Sequence, residues 1–362
     1  MPFALINPVV WLVLGYSCAI SLAKEYPMNI KPQKRSLLRR IGRWLAWLGL
    51  LIVGLLIGGW AFQRWASQRD RQQFLPAEQQ IMLNGHAMRL ICMGSGSPTI
   101  VLESGLGDGA DVWGLVQPAL AEQYRVCAYD RVGMGWSAAV ANKADRASIA
   151  QTLHELLSQA NVSAPYVLVG HSAGGLYVRE YAQRYPEQVI GLVLVDSSHE
   201  QQRQRQPQLA EDPFAIMRQS MQACDALAPF GIIRLTKLFE QSQSTYAKLP
   251  QPAQASIAAS QYQTSTCSAM DAALAAITQD LNQAQAPQSL KDLPLVVLTR
   301  GIADSTMPAE FEQTWDSLQQ ELAQLSSNSQ HHIAETSGHY IHLDQPALVI
   351  EAVEWVISQQ AK

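Results

Sequence analysis

The fold is decided by Pro165-Tyr-Val-Leu-Val-Gly-His-Ser-Ala-Gly-Gly-Leu-Tyr-Val-Arg-Glu-Tyr-Ala-Gln-Arg-Tyr-Pro186. Its first part, 166–169, is apolar without alternation, which is typical of a strand buried on both faces of a parallel sheet. After the break at 170–174, apolar side chains recur at helical spacing, and Pro186 stops the run. The stretch therefore predicts a strand, a sharp turn and a helix.

The turn holds a serine between two glycines. Gly170-His171-Ser172-Ala173-Gly174 has the G-x-S-x-G spacing of a nucleophile elbow, in which a strained turn exposes the serine hydroxyl. A glycine-rich connection of no chemical significance can share this spacing, but the strand and helix on either side favour the elbow. We therefore predict that Ser172 is a nucleophile.

A nucleophilic serine needs a base, and the base needs an acid that holds its tautomer. After an elbow the acid should come first in the chain and the histidine second. Asp304 follows the predicted strand 293–299, and His339 follows the final strand 331–335. Asp196 ends another strand on the same edge and is an alternative acid, although position favours Asp304. The remaining candidate histidines are interpreted as structural or surface residues: His171, His199, His331, His332 and His342.

Acyl transfer also needs two donors for an oxyanion. The backbone N–H of Ala173 is one, and the N–H of Leu106, in the glycine-flanked loop 104–107, is the best candidate for the other. The sequence contains no CxxC pair, HExxH motif or carboxylate cluster, and Gly133-x-Gly135 lacks the rest of a dinucleotide fingerprint. We expect neither a metal nor a cofactor.

Strands and helices alternate from Ile81 onward, which predicts an α/β domain with a mostly parallel sheet and helices on both faces. A segment rich in Gln, Ala and Ser, about 197–290, interrupts the alternation and is interpreted as a helical cap. Its most apolar portion, 227–235 with Leu238 and Phe239, could pack over the carboxyl edge of the sheet or face lipid.

The chain from about Ile81 to its end resembles the α/β-hydrolase superfamily, in its capped, single-domain form with an eight-stranded, mostly parallel sheet. The resemblance rests on four motifs: the elbow, Asp130-Arg131-x-Gly133-x-Gly135-x-Ser137, Gly301-x-x-Asp304, and Gly338-His339 with Asp344-x-Pro346. It implies that Ser172, Asp304 and His339 are nucleophile, acid and base. One departure concerns the oxyanion loop, where Glu103-Ser104-Gly105 replaces the His-Gly common in the family.

The N-terminal region is predicted to anchor the chain in a membrane. Residues 44–62 carry no charge and are long enough to cross a bilayer, with tryptophans as interfacial anchors. A buried helix, or a signal sequence cleaved after Ala61, would share this pattern. Residues 3–23 form a weaker second candidate, which would be absent from a chain starting at Met28. We divide the chain into an anchor, 1–72, and a hydrolase domain, 73–362. The basic loop between the two apolar runs places the domain on the extracytoplasmic side.

The formal net charge of −4 and the absence of a basic recognition motif give no reason to expect a nucleic-acid partner. Five cysteines are too few for a disulfide framework in a chain of 362 residues. Cys92 and Cys127 lie in predicted strands and are interpreted as buried free thiols. Cys224 and Cys267 both lie in the cap and could form a disulfide outside the cytoplasm.

These observations predict a membrane-anchored serine hydrolase of the esterase or lipase type, acting on a small-molecule or lipid-like ester. The resemblance also allows a peptidase, thioesterase, C–C bond hydrolase, acyltransferase or cofactor-free perhydrolase on the same triad. It argues against dehalogenases and epoxide hydrolases, which carry aspartate where this chain has Ser172. A catalytically silent, membrane-tethered binding protein is the alternative from another class. The oligomeric state and the substrate are not predicted.

Overall fold

The computed structural model describes residues 33–139, 145–206, 214–283 and 286–361. The possible helix at 3–23 lies outside the described residues. The strands are β1 (Gln80–Leu83), β2 (His86–Met93), β3 (Thr99–Glu103), β4 (Arg125–Tyr129), β5 (Tyr166–His171), β6 (Val189–Val195), β7 (Leu295–Arg300) and β8 (Ser329–Ala334). The helices are α1 (Gln33–Phe74), α2 (Gln117–Leu120), α3 (Arg146–Gln159), α4 (Ala173–Arg184), α5 (Gln202–Arg205), α6 (Ala215–Leu227), α7 (Ile232–Leu235), α8 (Gln251–Gln261), α9 (Thr266–Gln283), α10 (Ala309–Ala323), α11 (Ile341–Asp344) and α12 (Pro346–Ser358).

The eight strands form one sheet in the order β1-β2-β4-β3-β5-β6-β7-β8. The β1–β2 and β2–β4 pairs are antiparallel, and the remaining pairs are parallel. Because β3, β5, β6, β7 and β8 run in one direction, the loops that follow them meet at one edge of the sheet. This is the edge at which ligands bind in open α/β sheets.

Both faces of the sheet are buried, as the unbroken apolar runs predict. Along β6, Val193 and Val195 pack into one core with α12, whereas Leu192 and Leu194 pack into the opposite core with α3 and α4. This alternation follows from the two-residue period of a strand. Helices on both faces hold the carboxyl ends of the strands in fixed positions.

The segment between β6 and β7 is helical and forms the cap. It contains α5 to α9 and no strand among its described residues, 197–206, 214–283 and 286–290. One end of α9 packs on the elbow helix, where Ile277 and Leu281 join a buried cluster with Ala173 and Leu176. The cap therefore lies against the same sheet edge as Ser172.

The helix α1 contains a stretch, Leu37–Phe74, that is long and apolar enough to cross a membrane. By its internal contacts the chain divides between Leu56 and Ile57, so that the last part of this helix belongs to the compact unit Ile57–Lys362. The sequence-based boundary at 72/73 lies later because it follows the change in composition, whereas residues after Ile57 contact the cap.

Two disulfides link the described cysteines. Cys224 of α6 pairs with Cys267 of α9, the pairing that the sequence allows. Cys92 and Cys127 are also disulfide-bonded, so their interpretation as buried free thiols is wrong. The reason is strand pairing: β2 and β4 are antiparallel neighbours, and the two cysteines stand directly opposite each other with a Cα–Cα distance of 4.1 Å. In the sheet, β4 lies directly beside β2, and β3 lies on the far side of β4. The sequence does not reveal this order of strands.

Candidate active site

Ser172 occupies a sharp turn between β5 and α4. Its backbone has φ 53° and ψ −122°, a conformation that costs a non-glycine residue free energy and is typical of functional turns. The N–H of Ser172 donates to the carbonyl of Val195 at 3.0 Å, which fixes the turn to the end of β6. The strand-turn-helix prediction is confirmed in its elements.

The two glycines of the motif are required by close packing. A Cβ at Gly170 would lie 2.7 Å from the carbonyl oxygen of Gly174, and a Cβ at Gly174 would lie 2.6 Å from the carbonyl oxygen of Glu103. Real Cβ atoms do not approach backbone oxygens this closely. The glycines therefore let α4 begin directly against the end of β3, where the second oxyanion donor is expected.

His339 follows β8 and lines the same cavity as Ser172. Its Nδ1 lies 2.5 Å from Oδ2 of Asp196. A carboxylate can only accept here, so Nδ1 carries the hydrogen and Nε2 is left as the basic nitrogen. This is the tautomer that a general base for a serine hydroxyl requires.

The acid beside His339 is thus Asp196, and the sequence-based choice of Asp304 is corrected. Asp304 is exposed, and its Oδ1 accepts hydrogen bonds from the N–H and hydroxyl of Thr306 at 2.9 and 2.7 Å. These bonds lower the pKa of Asp304. Asp304 stands four residues beyond the end of β7, whereas Asp196 comes immediately after β6. Asp304 does line the cavity, but as part of its rim.

Asp196 has no exposed surface, and its charge is compensated by fixed donors. Its oxygens accept hydrogen bonds from the backbone and guanidinium of Arg300 at 3.1 and 2.8 Å and from the indole of Trp315 at 2.9 Å, in addition to His339. Burial works to raise the pKa of Asp196, but the hydrogen bond and charge of His339 and the charge of Arg300 outweigh it and lower the pKa. Asp196 is therefore held as a carboxylate.

His171, next to Ser172 in the turn, holds the loop that carries His339. Its Nε2 lies 2.9 Å from the carbonyl oxygen of His339 and must donate, because a carbonyl only accepts. Burial is the main cause that lowers the pKa of His171 well below its usual value, so the ring stays neutral. This agrees with the packing and hydrogen-bonding role that the sequence suggests for it.

The loop 104–107, where the second oxyanion donor is predicted, is braced by a buried arginine whose role the sequence does not predict. The guanidinium of Arg131 donates to the carbonyls of Ser104 and Gly105 and forms an ion pair with Glu103. A peptide unit is planar and trans, so fixing the Gly105 carbonyl toward Arg131 turns the N–H of Leu106 the opposite way. Leu106 and Ala173 both line the cavity that contains Ser172.

This brace explains the departure at 103–105. Glu103 is only 1% exposed, and it both pairs with Arg131 and accepts a hydrogen bond from the hydroxyl of Tyr129. A buried arginine without such a partner would be strongly destabilising. Glu103 and Arg131 of the Asp130-Arg131 motif therefore act together: the glutamate compensates the charge of the arginine that holds the loop.

The cavity measures about 480 Å³ and is mainly apolar. Its apolar wall includes Leu106, Phe214, Ile277, Leu281, Met307 and Phe311. One buried carboxylate interrupts it: Asp108 accepts a hydrogen bond from the cap residue Tyr246 at 2.7 Å, and burial raises its pKa. Among the described residues no group of three or more His, Cys, Asp or Glu side chains is arranged to hold a metal ion.

Fold and site together define an α/β hydrolase. A family described as alpha/beta hydrolase fold matches residues 98–346, which is more than half of the chain. The chain belongs to this family, and its membership and relatives support a hydrolase.

The relatives that match most of the chain share little sequence identity with it. The uncharacterized protein YqjL of Bacillus subtilis is 25% identical over 261 residues, covering 72% of this chain and 83% of YqjL. An epoxide hydrolase of Vigna radiata superposes with a TM-score of 0.62 at 16% identity, covering 77% of this chain and 97% of that one. A thermophilic esterase of Thermogutta terrifontis superposes with a TM-score of 0.52 at 19% identity, with the same two coverages. Two further curated relatives are matched over only 15% and 21% of their own length.

We predict that Gly174→Ala destabilises the domain. The added Cβ would press on the carbonyls of Glu103 and Ser104, and overpacking of this kind typically costs about 1–3 kcal/mol. Thermal unfolding of the purified chain should show a lower midpoint. Ser158→Ala, at an exposed position of α3, is the control and should leave the midpoint nearly unchanged. Equal unfolding midpoints for both variants would show that the turn accommodates a Cβ at Gly174, which contradicts the close packing described above.

We predict that Asp196→Asn lowers the labelling rate of Ser172 far more than Asp304→Asn does. The amide at 196 removes the acceptor that fixes the His339 tautomer, and the equivalent change in a serine protease triad lowers kcat about 10⁴-fold. Asp304→Asn should change the rate less than about tenfold, because Asp304 is bonded to Thr306. The measurement is the rate at which a fluorophosphonate labels Ser172. A large loss in Asp304→Asn with little loss in Asp196→Asn would restore the sequence-based assignment.

Proposed function

We propose that the protein is a membrane-anchored serine hydrolase that cleaves ester-like acyl substrates. The observation that carries this proposal is the shared cavity of Ser172 and His339, in which Asp196 holds Nδ1 of the histidine. A positive-φ serine at a strand-to-helix turn and a base with a fixed tautomer are the parts that acyl transfer needs.

In the proposed reaction His339 takes the proton of the Ser172 hydroxyl through Nε2 as the oxygen attacks the substrate carbonyl. The negative charge that develops on the carbonyl oxygen is stabilised by the N–H groups of Ala173 and Leu106. His339 then gives its proton to the leaving alcohol, and an acyl-enzyme remains. A water activated by His339 releases the acid, while Asp196 stabilises the imidazolium in both steps.

The apolar wall supports an acyl chain as the main part of the substrate. Aliphatic and aromatic side chains surround the nucleophile, and a volume of about 480 Å³ is within the usual range for small-molecule sites. Epoxide hydrolase chemistry is less well supported, because the epoxide hydrolases that this fold resembles carry an aspartate at the position of Ser172. The likeness to an epoxide hydrolase structure at 16% identity concerns the fold.

The proposed anchor is the apolar part of α1, and the proposed location of the domain is the extracytoplasmic side. The basic loop before this helix supports the orientation. The two disulfides support it independently, since disulfides persist in oxidising compartments and are rare in the cytosol.

We expect a fluorophosphonate probe to label the native chain and to fail on Ser172→Ala. Ser198→Ala is a matched control, because Ser198 lines the same cavity and should keep the label. Hydrolysis of p-nitrophenyl esters of increasing chain length should fall at least about a thousandfold in Ser172→Ala. A folded chain that takes no label would instead be the catalytically silent binding protein.

We expect the chain to stay in the membrane pellet when membranes are extracted with alkaline carbonate, because a spanning helix is not removed by this treatment. A C-terminal phosphatase fusion, active only outside the cytoplasm, should be active, and a reporter active only inside should not. The reverse pattern of reporter activities would contradict the proposed orientation without affecting the assignment of Ser172.

A further inference from the structure

The last turns of α1 are packed against the cap. Within the unit Ile57–Lys362, the face of the helix that is shielded from solvent contains Gly59, Gln63, Ala66 and Asp70, at the three- and four-residue spacing of one helical stripe. Gln63 donates to the carbonyl of Tyr262 at 2.7 Å. The opposite face, with Trp60 and Trp65, is exposed.

Two contacts fix this packing. A Cβ at Gly59 would lie 2.3 Å from the carbonyl oxygen of Phe230, so the helix backbone lies directly against the turn that precedes α7. Further along the helix, Asp70 forms an ion pair with Arg234 at 2.7 Å, and the guanidinium of Arg234 also lies over the ring of Tyr262. The first contact is backbone packing and the second is charged.

These contacts set the depth of α7 relative to the apolar run. Gly59 lies three residues before Phe62, the end of the uncharged stretch, which is about 4.5 Å along a helix axis. Asp70 lies eight residues beyond Phe62, about 12 Å in the other direction. The cap segment 230–234 therefore lies alongside the boundary between the uncharged stretch of the helix, which ends at Phe62, and the charged part that follows it.

The cap exposes leucines on either side of this segment in the chain. Leu235 is 67% exposed, Leu238 is 55% exposed and Leu227 is 41% exposed. Their neighbour Ile233 packs inward with Cys224 and Cys267, so the turn has a defined inner and outer side. Exposed leucines beside an uncharged helix end are suited to lipid and poorly suited to water.

The same cap helix reaches the cavity. Phe214, immediately before α6, lines the site, and Leu227 ends α6 next to the contact with α1. Thirteen helical residues separate the two ends, which is about 20 Å.

We infer that the leucine surface of the cap, formed by Leu227, Leu235 and Leu238, docks into the lipid bilayer that α1 crosses, at the boundary between headgroups and acyl chains. This inference rests on the anchoring part of the proposed function. The occupant is lipid because the leucines flank, in the chain, the residue Phe230, whose carbonyl packs against Gly59 of the apolar run. The docking fixes one end of the cap at the membrane and leaves its other end at the cavity, about one α6 length away.

The test places an environment-sensitive fluorophore, NBD, at Leu235→Cys or Leu238→Cys in the full chain carrying Cys18→Ser, reconstituted in phosphatidylcholine and phosphatidylglycerol nanodiscs. Ile333→Cys is the matched control, because Ile333 is an apolar residue on β8 that is 46% exposed. We expect blue-shifted emission at 235 and 238, loss of fluorescence with lipids that carry a nitroxide near the headgroup, and protection from aqueous iodide. The label at 333 should show the opposite pattern.

Labels at 235 and 238 that behave like the label at 333 would overturn the inference. Alkaline extraction of the same samples tests the anchoring by α1 separately from the docking of the cap. A chain that stays in the membrane with water-exposed labels contradicts docking of the cap alone, and a chain that is washed off contradicts the anchor and the docking with it. Labelling of Ser172 by fluorophosphonate in the same discs reports on the hydrolase activity independently of either result.

Discussion

The carboxylate of Asp196 is the group on which the arrangement of the site depends. It is wholly buried and carries a negative charge, and leaving such a charge uncompensated would cost several kcal/mol. Its compensation comes from three separate parts of the chain: Arg300 at the end of β7, Trp315 on α10 and His339 after β8. The same contacts that compensate the buried charge therefore bring His339 to the edge of the sheet where Ser172 lies.

A second buried ion pair lies on the other side of Ser172. Glu103 and Arg131 are neighbours in space because β3 and β4 are parallel partners in the sheet. Their pairing directs the carbonyls of Ser104 and Gly105 away from the cavity and toward the guanidinium. Both halves of the site thus use a buried arginine to orient backbone or carboxylate groups, one on each side of β5.

Much of this architecture could be predicted because it depends on local patterns. The turn at Ser172, the alternation of strands and helices and the position of His339 after the last strand follow from local residue patterns. The pairing of Cys224 with Cys267 was open to prediction because both lie in the cap. The choice between Asp196 and Asp304 could not be made in that way. Both acids follow strands that end at the same edge, and which one reaches the histidine depends on the loop after β8. The immediate position of Asp196 after β6, without an intervening turn, was the available signal.

The pairing of Cys92 with Cys127 and the role of Arg131 were missed for a related reason. Both depend on which strands are neighbours in the sheet, and β4 lies between β2 and β3 although it follows both in sequence. Chain order gives local elements, whereas these contacts are set by the order of strands in space.

The disulfide between Cys224 and Cys267 joins two helices of the cap that lie next to different parts of the molecule. Cys224 lies on α6, which ends three residues before Phe230, the residue that packs against Gly59 of α1. Cys267 lies on α9, whose Ile277 and Leu281 form part of the cavity wall. The covalent link restricts the movement of α6 relative to α9. Breaking the disulfide would therefore let the cavity wall beside Ser172 move independently of the part of the cap that packs on α1.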